Sequence, residues 1–186
     1  MPLIVIGAVV LVLLVWFISV RNGFIGKRNL ADNAFATIDV QLKQRCDLIP
    51  NLVSAAQAYM KHERGTLDDL TALRAQAQAA KTPAESIDVN NRIGHALRAF
   101  MVNVEAYPDL KASEQFVMLQ RSLNEIEAQL AAARRTYNAA VTDFNNAVQM
   151  FPSSVVASMS GFATRSLLET SEEDRQRPDV KALFNG

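Results

Sequence analysis

The sequence predicts an all-α protein, with one N-terminal transmembrane helix followed by an antiparallel bundle of long helices. Three observations predict it. Leu3 to Val20 is a run of 18 residues without a charge. Apolar residues from Phe116 to Phe151 recur at alternating spacings of three and four, a heptad seam. Gly and Pro are few, at 7 and 6 of 186 residues, and Ala-rich stretches dominate after residue 50, which favours helix over strand.

The anchor comes first. A helix over 18 residues rises about 27 Å, close to a hydrocarbon core of about 30 Å. Fourteen of these residues are Leu, Ile, Val or Phe. On an insertion scale they contribute roughly −6 kcal/mol in all, outweighing the small terms from Gly7 and Ser19. Trp16 lies near one end, where an indole prefers the interface. A cleaved signal peptide expects a basic leader and a small-residue cleavage site. No Lys or Arg precedes the run, and Arg21-Asn22-Gly23-Phe24 follows it. Arg21, Lys27 and Arg28 lie on the C-terminal side, so the positive-inside rule predicts an outside N-terminus and a cytoplasmic bundle. The expectation is a single-pass protein of the inner (cell) membrane.

Helical spacing continues downstream. Phe35, Ile38, Leu42, Cys46, Ile49, Val53, Ala56 and Met60 form the first stripe, with a stutter near Pro50. Pro50 cannot donate to the carbonyl of Cys46 and should kink the helix, with Asp47 and Asn51 at hand for the freed groups. Leu67, Leu70, Leu73 and Ala77 follow beyond Gly65. Val89, Ile93, Leu97, Phe100, Val104 and Tyr107 form a further seam. Thr82-Pro83-Ala84-Glu85 is a capping box with Pro at the first helical position. Pro108 ends the helix before it, and Ser113 is an N-cap for the next. That helix carries Phe116, Leu119, Leu123, Ile126, Leu130, Ala133, Tyr137, Ala140, Phe144, Ala147 and Phe151. Alone it cannot bury its stripe and needs antiparallel partners. In the short segment Ser153 to Leu168, Val155, Val156, Met159 and Phe162 are expected to share one face. Three regions result: 1–21 the anchor, 22–168 the bundle, and 169–186 a polar, Pro-containing C-terminal tail.

Chemistry is sparse. Nineteen basic and nineteen acidic residues cancel, which argues against nucleic acid as a partner, because phosphate binding needs a basic surplus on one face. The one cysteine, Cys46, cannot form an internal disulfide and reads as a small buried residue. His62 and His95 lack second ligands at zinc spacing. Glu105, Glu125 and Glu127 do not form the Glu-x-x-His pairs of a di-iron bundle. Arg134 and Arg135 read as a solvated face. No phosphate loop, dinucleotide fingerprint or nucleophile elbow occurs. No catalytic, cofactor-binding or metal-ligating residue is assigned, and the protein is expected not to be an enzyme. Asn51, Asn138 and Asn145 are candidates for buried polar contacts. Asn138 and Asn145 stand one heptad apart beside the seam, where a polar residue can set register.

Several runs together resemble the LemA family. They are Ile38-Asp39-Val40-Gln41-Leu42-Lys43 with Arg45 and Asp47-Leu48-Ile49-Pro50-Asn51-Leu52-Val53, then Glu105-Ala106-Tyr107-Pro108-Asp109-Leu110-Lys111-Ala112 with Phe116 and Leu119-Gln120. A third block holds Ala133-Arg134-Arg135, Tyr137-Asn138, Ala140-Val141, Asn145, Phe151-Pro152 and Gly161-Phe162. Cys46 departs from the aromatic or His usual in the family, and Asn22-Gly23-Phe24-Ile25 matches only loosely. The resemblance implies a membrane-anchored, cytosol-facing helical bundle without an agreed biochemical activity. Relatives in magnetosome formation and in membrane-protein quality control point to a self-associating scaffold or adaptor. The alternative is an accessory subunit of a membrane protease or hydrolase. The partners expected are the lipid bilayer, further copies of the chain and a membrane protein.

Overall fold

The computed structural model describes residues 1–168; the expected tail, 169–186, lies outside the described residues. The chain is all-helical. Its elements are α1 (Pro2–Gln57), α2 (Arg64–Ala79), α3 (Pro83–Val104), the single turn α4 (Pro108–Lys111), α5 (Glu114–Gln149) and α6 (Ser153–Ser160). Past α6 the chain to residue 168 is non-helical, and no strand occurs among the described residues.

The breaks follow local chemistry. Thr82 Oγ1 accepts from the Glu85 amide at 3.2 Å, and Glu85 Oε2 accepts from the Thr82 amide at 3.3 Å, closing the capping box. Ser113 Oγ accepts from the Phe116 amide at 3.3 Å and caps α5. Gly161 ends α6 at φ 72°, a left-handed conformation that glycine adopts without a Cβ clash. The boundary expected at residues 21 and 22 falls inside α1, which also continues past Pro50.

The chain divides into two compact units. One comprises Met1–Ile38 with Ala131–Gly186, the other Asp39–Leu130. In the second, the stripe of α1 from Cys46 to Ala56 meets Leu67, Leu70 and Leu73 of α2, Ile93, Leu97 and Phe100 of α3, and Phe116 and Leu123 of α5. Phe100 and Phe116 meet edge to face at 6.2 Å. The first unit has its own core, in which Phe24 and Phe144 close on Val156 and Ala157, with Phe17, Val20 and Phe162 packed around them. Residues 3–15 of α1 lie outside any packing and are exposed.

The α5 seam is buried or half-buried from Phe116 to Ala147. Phe151 departs from it and is exposed, because α5 ends at Gln149 and the helical period no longer governs its direction. The expected single apolar face of the last segment is divided. Val156 is buried and Phe162 half-buried, whereas Val155 and Met159, one turn apart on α6, are exposed. Phe162 lies beyond the Gly161 cap, so helical spacing does not relate it to the other three.

Candidate functional site

In the unit Asp39–Leu130, one charge is buried in the seam. On α1, Leu42, Arg45, Ile49, Leu52 and Ala56 are all buried and follow spacings of three and four. Arg45 therefore occupies a core position of its helix. On α3, the buried residues Asn90, Ile93, Leu97, Phe100 and Val104 follow the same spacing, with Asn90 first. The two polar seam positions face each other. Arg45 Nη1 donates to the Asn90 carbonyl at 2.9 Å, and Nη2 is paired with the Glu127 carboxylate from α5. Cys46 Sγ lies 3.7 Å from Asn90 Oδ1, and Asn90 Nδ2 donates to the Ser86 carbonyl at 2.9 Å. The buried guanidinium thus donates hydrogen bonds to α3 and α5, which is how a buried charge is tolerated. Arg45 Nε and the Gln41 Oε1 one turn earlier are buried without a partner.

Burial pushes the Cys46 thiol up; Asp47 adds to this, while Arg45 and Arg74 oppose it. A raised thiol stays protonated at neutral pH, the reverse of what a nucleophilic or metal-binding cysteine requires. The centre is suited to fixing the register of three helices rather than to bond-making.

Pro50 adds a second polar contact in this unit. The Cys46 carbonyl, which Pro50 cannot serve, accepts from Arg74 Nε of α2 at 3.2 Å. Asp47 and Asn51, expected to help there, are both exposed. Asn51 is therefore not a buried polar contact.

In the unit Met1–Ile38 with Ala131–Gly186, Asn138 and Asn145 clamp an extended strap. Asn145 Nδ2 donates to the Arg165 carbonyl and its Oδ1 accepts from the Arg165 amide, both at 2.8 Å. Asn138 does the same to Leu168, both at 2.9 Å. A side-chain amide carries one carbonyl and an N–H pair, so each asparagine imitates a neighbouring strand. The spacings match. Seven helical residues rise about 10.5 Å, and three extended residues span about 10 Å. The heptad separation seen in the sequence is thus a two-rung ladder for extended backbone. Arg165 Nη1 adds an ion pair to Asp32 Oδ1 at 2.6 Å, and its guanidinium lies 5.9 Å from the centre of the Phe144 ring.

The other residues weighed in the sequence stay apart. His62 and His95 are exposed, and His95 Nδ1 shares a 2.9 Å contact with Arg98. Glu105 pairs with Lys111, and Glu125 accepts from Gln129 at 3.1 Å. Arg134 is half-buried and Arg135 exposed. Among the described residues, no group of three or more His, Cys, Asp or Glu is placed to hold a metal ion. Sequence reasoning missed Arg45, Asn90 and Arg74. A signal existed for the first two, since each falls on the spacing of its own seam.

The model of the LemA family matches residues 34–182. The chain is similar to Protein LemA of Metamycoplasma hominis, 24% identical over 170 residues that cover 91% of this chain and 78% of that protein. It is also similar to Magnetosome protein MamQ 2 of Paramagnetospirillum magneticum, 33% identical over 69 residues. That match covers 37% of this chain and 25% of the MamQ protein. Magnetosome protein MamQ of Magnetospirillum gryphiswaldense is 30% identical over the same length.

Proposed function

The chain belongs to the LemA family, and on that premise we propose that it is a membrane-anchored helical scaffold or adaptor without catalysis of its own. It crosses the inner membrane once, with its N-terminus outside and its packed helices in the cytoplasm, and it self-associates. The observation that carries this reading is α1. It is one helix from Pro2 to Gln57, apolar from Leu3 to Val20, exposed as far as Trp16 and packed on one face from Phe17 onward. Exposed apolar surface of that extent is unfavourable in water and favourable in a bilayer. Arg21, Lys27 and Arg28 support the orientation. The similarity to proteins named for the magnetosome supports a membrane-associated role. The polar centre at Arg45 supports a structural rather than chemical use of the interior.

Topology is tested with Cys46→Ala chains carrying a cysteine at the C-terminus. An impermeant maleimide should label that site only after cells are opened; labelling in intact cells refutes the orientation. Cross-linking of the native membrane followed by mass spectrometry tests the scaffold reading. Links between copies of this chain and to a membrane protein are expected. A peptidase or other hydrolase recovered in constant proportion would instead favour the accessory-subunit alternative.

A further inference from the structure

We propose that the α5–α6 corner, from Met150 to Met159, is a second membrane contact, seated in the headgroup–acyl boundary of the bilayer that the N-terminal run crosses. This rests on the anchor reading above. Three observations within the unit Met1–Ile38 with Ala131–Gly186 carry it.

The first is register. Phe35 meets Tyr137 at 5.7 Å, Lys27 pairs with Asp143, and Phe24 meets Phe144 at 6.3 Å. Moving toward the C-terminus of α5 therefore moves toward the N-terminus of α1. From Phe144 to the end of α5 at Gln149 is about 7.5 Å of helical rise, and the same distance back from Phe24 reaches the level of Ser19. Packing agrees, since Phe17 and Val20 lie against the cluster holding Val156 and Ala157 of α6. The corner thus stands level with the last turn of the uncharged run Leu3 to Val20.

The second is what the corner exposes. Met150 is 63% exposed, Phe151 83%, Val155 49% and Met159 73%. A packed corner leaving four large apolar side chains out has a partner of apolar character. Several of its backbone groups are already served, as a lipid boundary favours. Met150 N–H donates to Asn146 at 2.9 Å, Ser154 N–H to Met150 at 2.8 Å and Phe162 N–H to Ala157 at 3.0 Å. Even the Ser153 hydroxyl turns inward, 2.7 Å from the Ala147 carbonyl.

The third is where charge resumes. No Asp, Glu, Lys or Arg occurs between Phe144 and Thr164. The charges bounding this stretch, Asp143 and Arg165, are paired with Lys27 and Asp32. Lys27 lies about 10 Å of helix beyond Val20, clear of the hydrocarbon. Arg21, the charge that α1 places in between, is exposed at the depth of lipid phosphates. The charge-free ends of α1, α5 and α6 form one band. An interfacial element of this kind buries its apolar face about 5–10 Å into the boundary.

Nitroxide-lipid quenching tests this on the full chain in nanodiscs. A fluorophore is placed on Phe151→Cys, Met159→Cys or Thr136→Cys, each in a Cys46→Ala background, and Trp16 supplies an intrinsic signal from the anchor. With the nitroxide near the headgroup, labels at 151 and 159 should be quenched at least about twofold more than the label at 136. If Trp16 is quenched while 151 and 159 behave as 136 does, the corner proposal is overturned and the anchor stands. If Trp16 is also unquenched, the anchor reading falls and takes this proposal with it. Unquenched labels at 151 that transfer energy between copies overturn it in favour of a contact between protomers.

Discussion

Removing the acceptor from a buried guanidinium gives the sharpest test of the polar centre. In Glu127→Ala, Arg45 keeps the Asn90 carbonyl and loses its countercharge. Breaking a fully buried pair costs about 3–5 kcal/mol. Here the Arg45 side chain is 4% exposed but that of Glu127 is 43% exposed, so water can enter from the carboxylate side. The cost then approaches that of a hydrogen bond to a charged group, about 1.5–3 kcal/mol. We expect about 2 kcal/mol, a fall in Tm of about 4–8 °C for a chain of this size. Glu127→Gln retains an acceptor and should cost about half as much. Arg45→Met removes the charge and keeps an unbranched apolar side chain, which often replaces a buried charge at little cost. The double variant Arg45→Met, Glu127→Ala should therefore be more stable than the single losses imply, by about 1 kcal/mol. Denaturant unfolding of the full chain in mild detergent, followed by circular dichroism, measures all four. A Glu127→Ala variant within about 0.5 kcal/mol of the parent, or a strictly additive cycle, refutes the reasoning.

Three further outcomes are expected. Leu123→Asp or Leu130→Asp would bury an unpaired charge and should cost about 3 kcal/mol or more; melting like that of the parent would contradict the seam. Asn145→Ala removes both bonds to Arg165, and trypsin should then cut after Arg165 about tenfold faster, because local opening gains about 1.4 kcal/mol; an unchanged rate would mean that the clamp does not hold the strap. Cys46, whose folded pKa is raised by burial, binds its proton more tightly folded than unfolded, so stability should decline as pH rises through the unfolded thiol value of about 8.5. Cys46→Ala should flatten that part of the stability-versus-pH curve, and a parent curve as flat as the variant's would contradict the burial argument.

Much of this could be read along the chain because it is local. Thr82 and Glu85 cap each other across three residues, and the α5 seam declares itself by spacing alone. Asn138 and Asn145 were visible as a pair one heptad apart. What they hold was not visible, since it depends on the chain returning past Gly161 in extended form. Arg45 shows the limit more clearly. Its position on the stripe of Leu42 and Ile49 is a sequence fact, yet a charge at such a position reads as solvated until Asn90 and Glu127 are brought opposite. Pro50 is similar. The sequence identifies the carbonyl it frees, at Cys46, but not that Arg74 of another helix would reach it.

By itself the sequence determined the all-helical class, the uncharged N-terminal run, the caps and the burial of the long seam. These depend on propensity, spacing and hydrogen bonds within a few residues. Only the tertiary structure decided which polar side chains meet, and that α6 buries Val156 while leaving Val155 and Met159 exposed. Only the structure set the α5–α6 corner level with the end of the apolar run. Those outcomes turn on the register between helices far apart in sequence. A step of one residue there moves a side chain by about 1.5 Å along the axis and 100° around it, which no local pattern encodes.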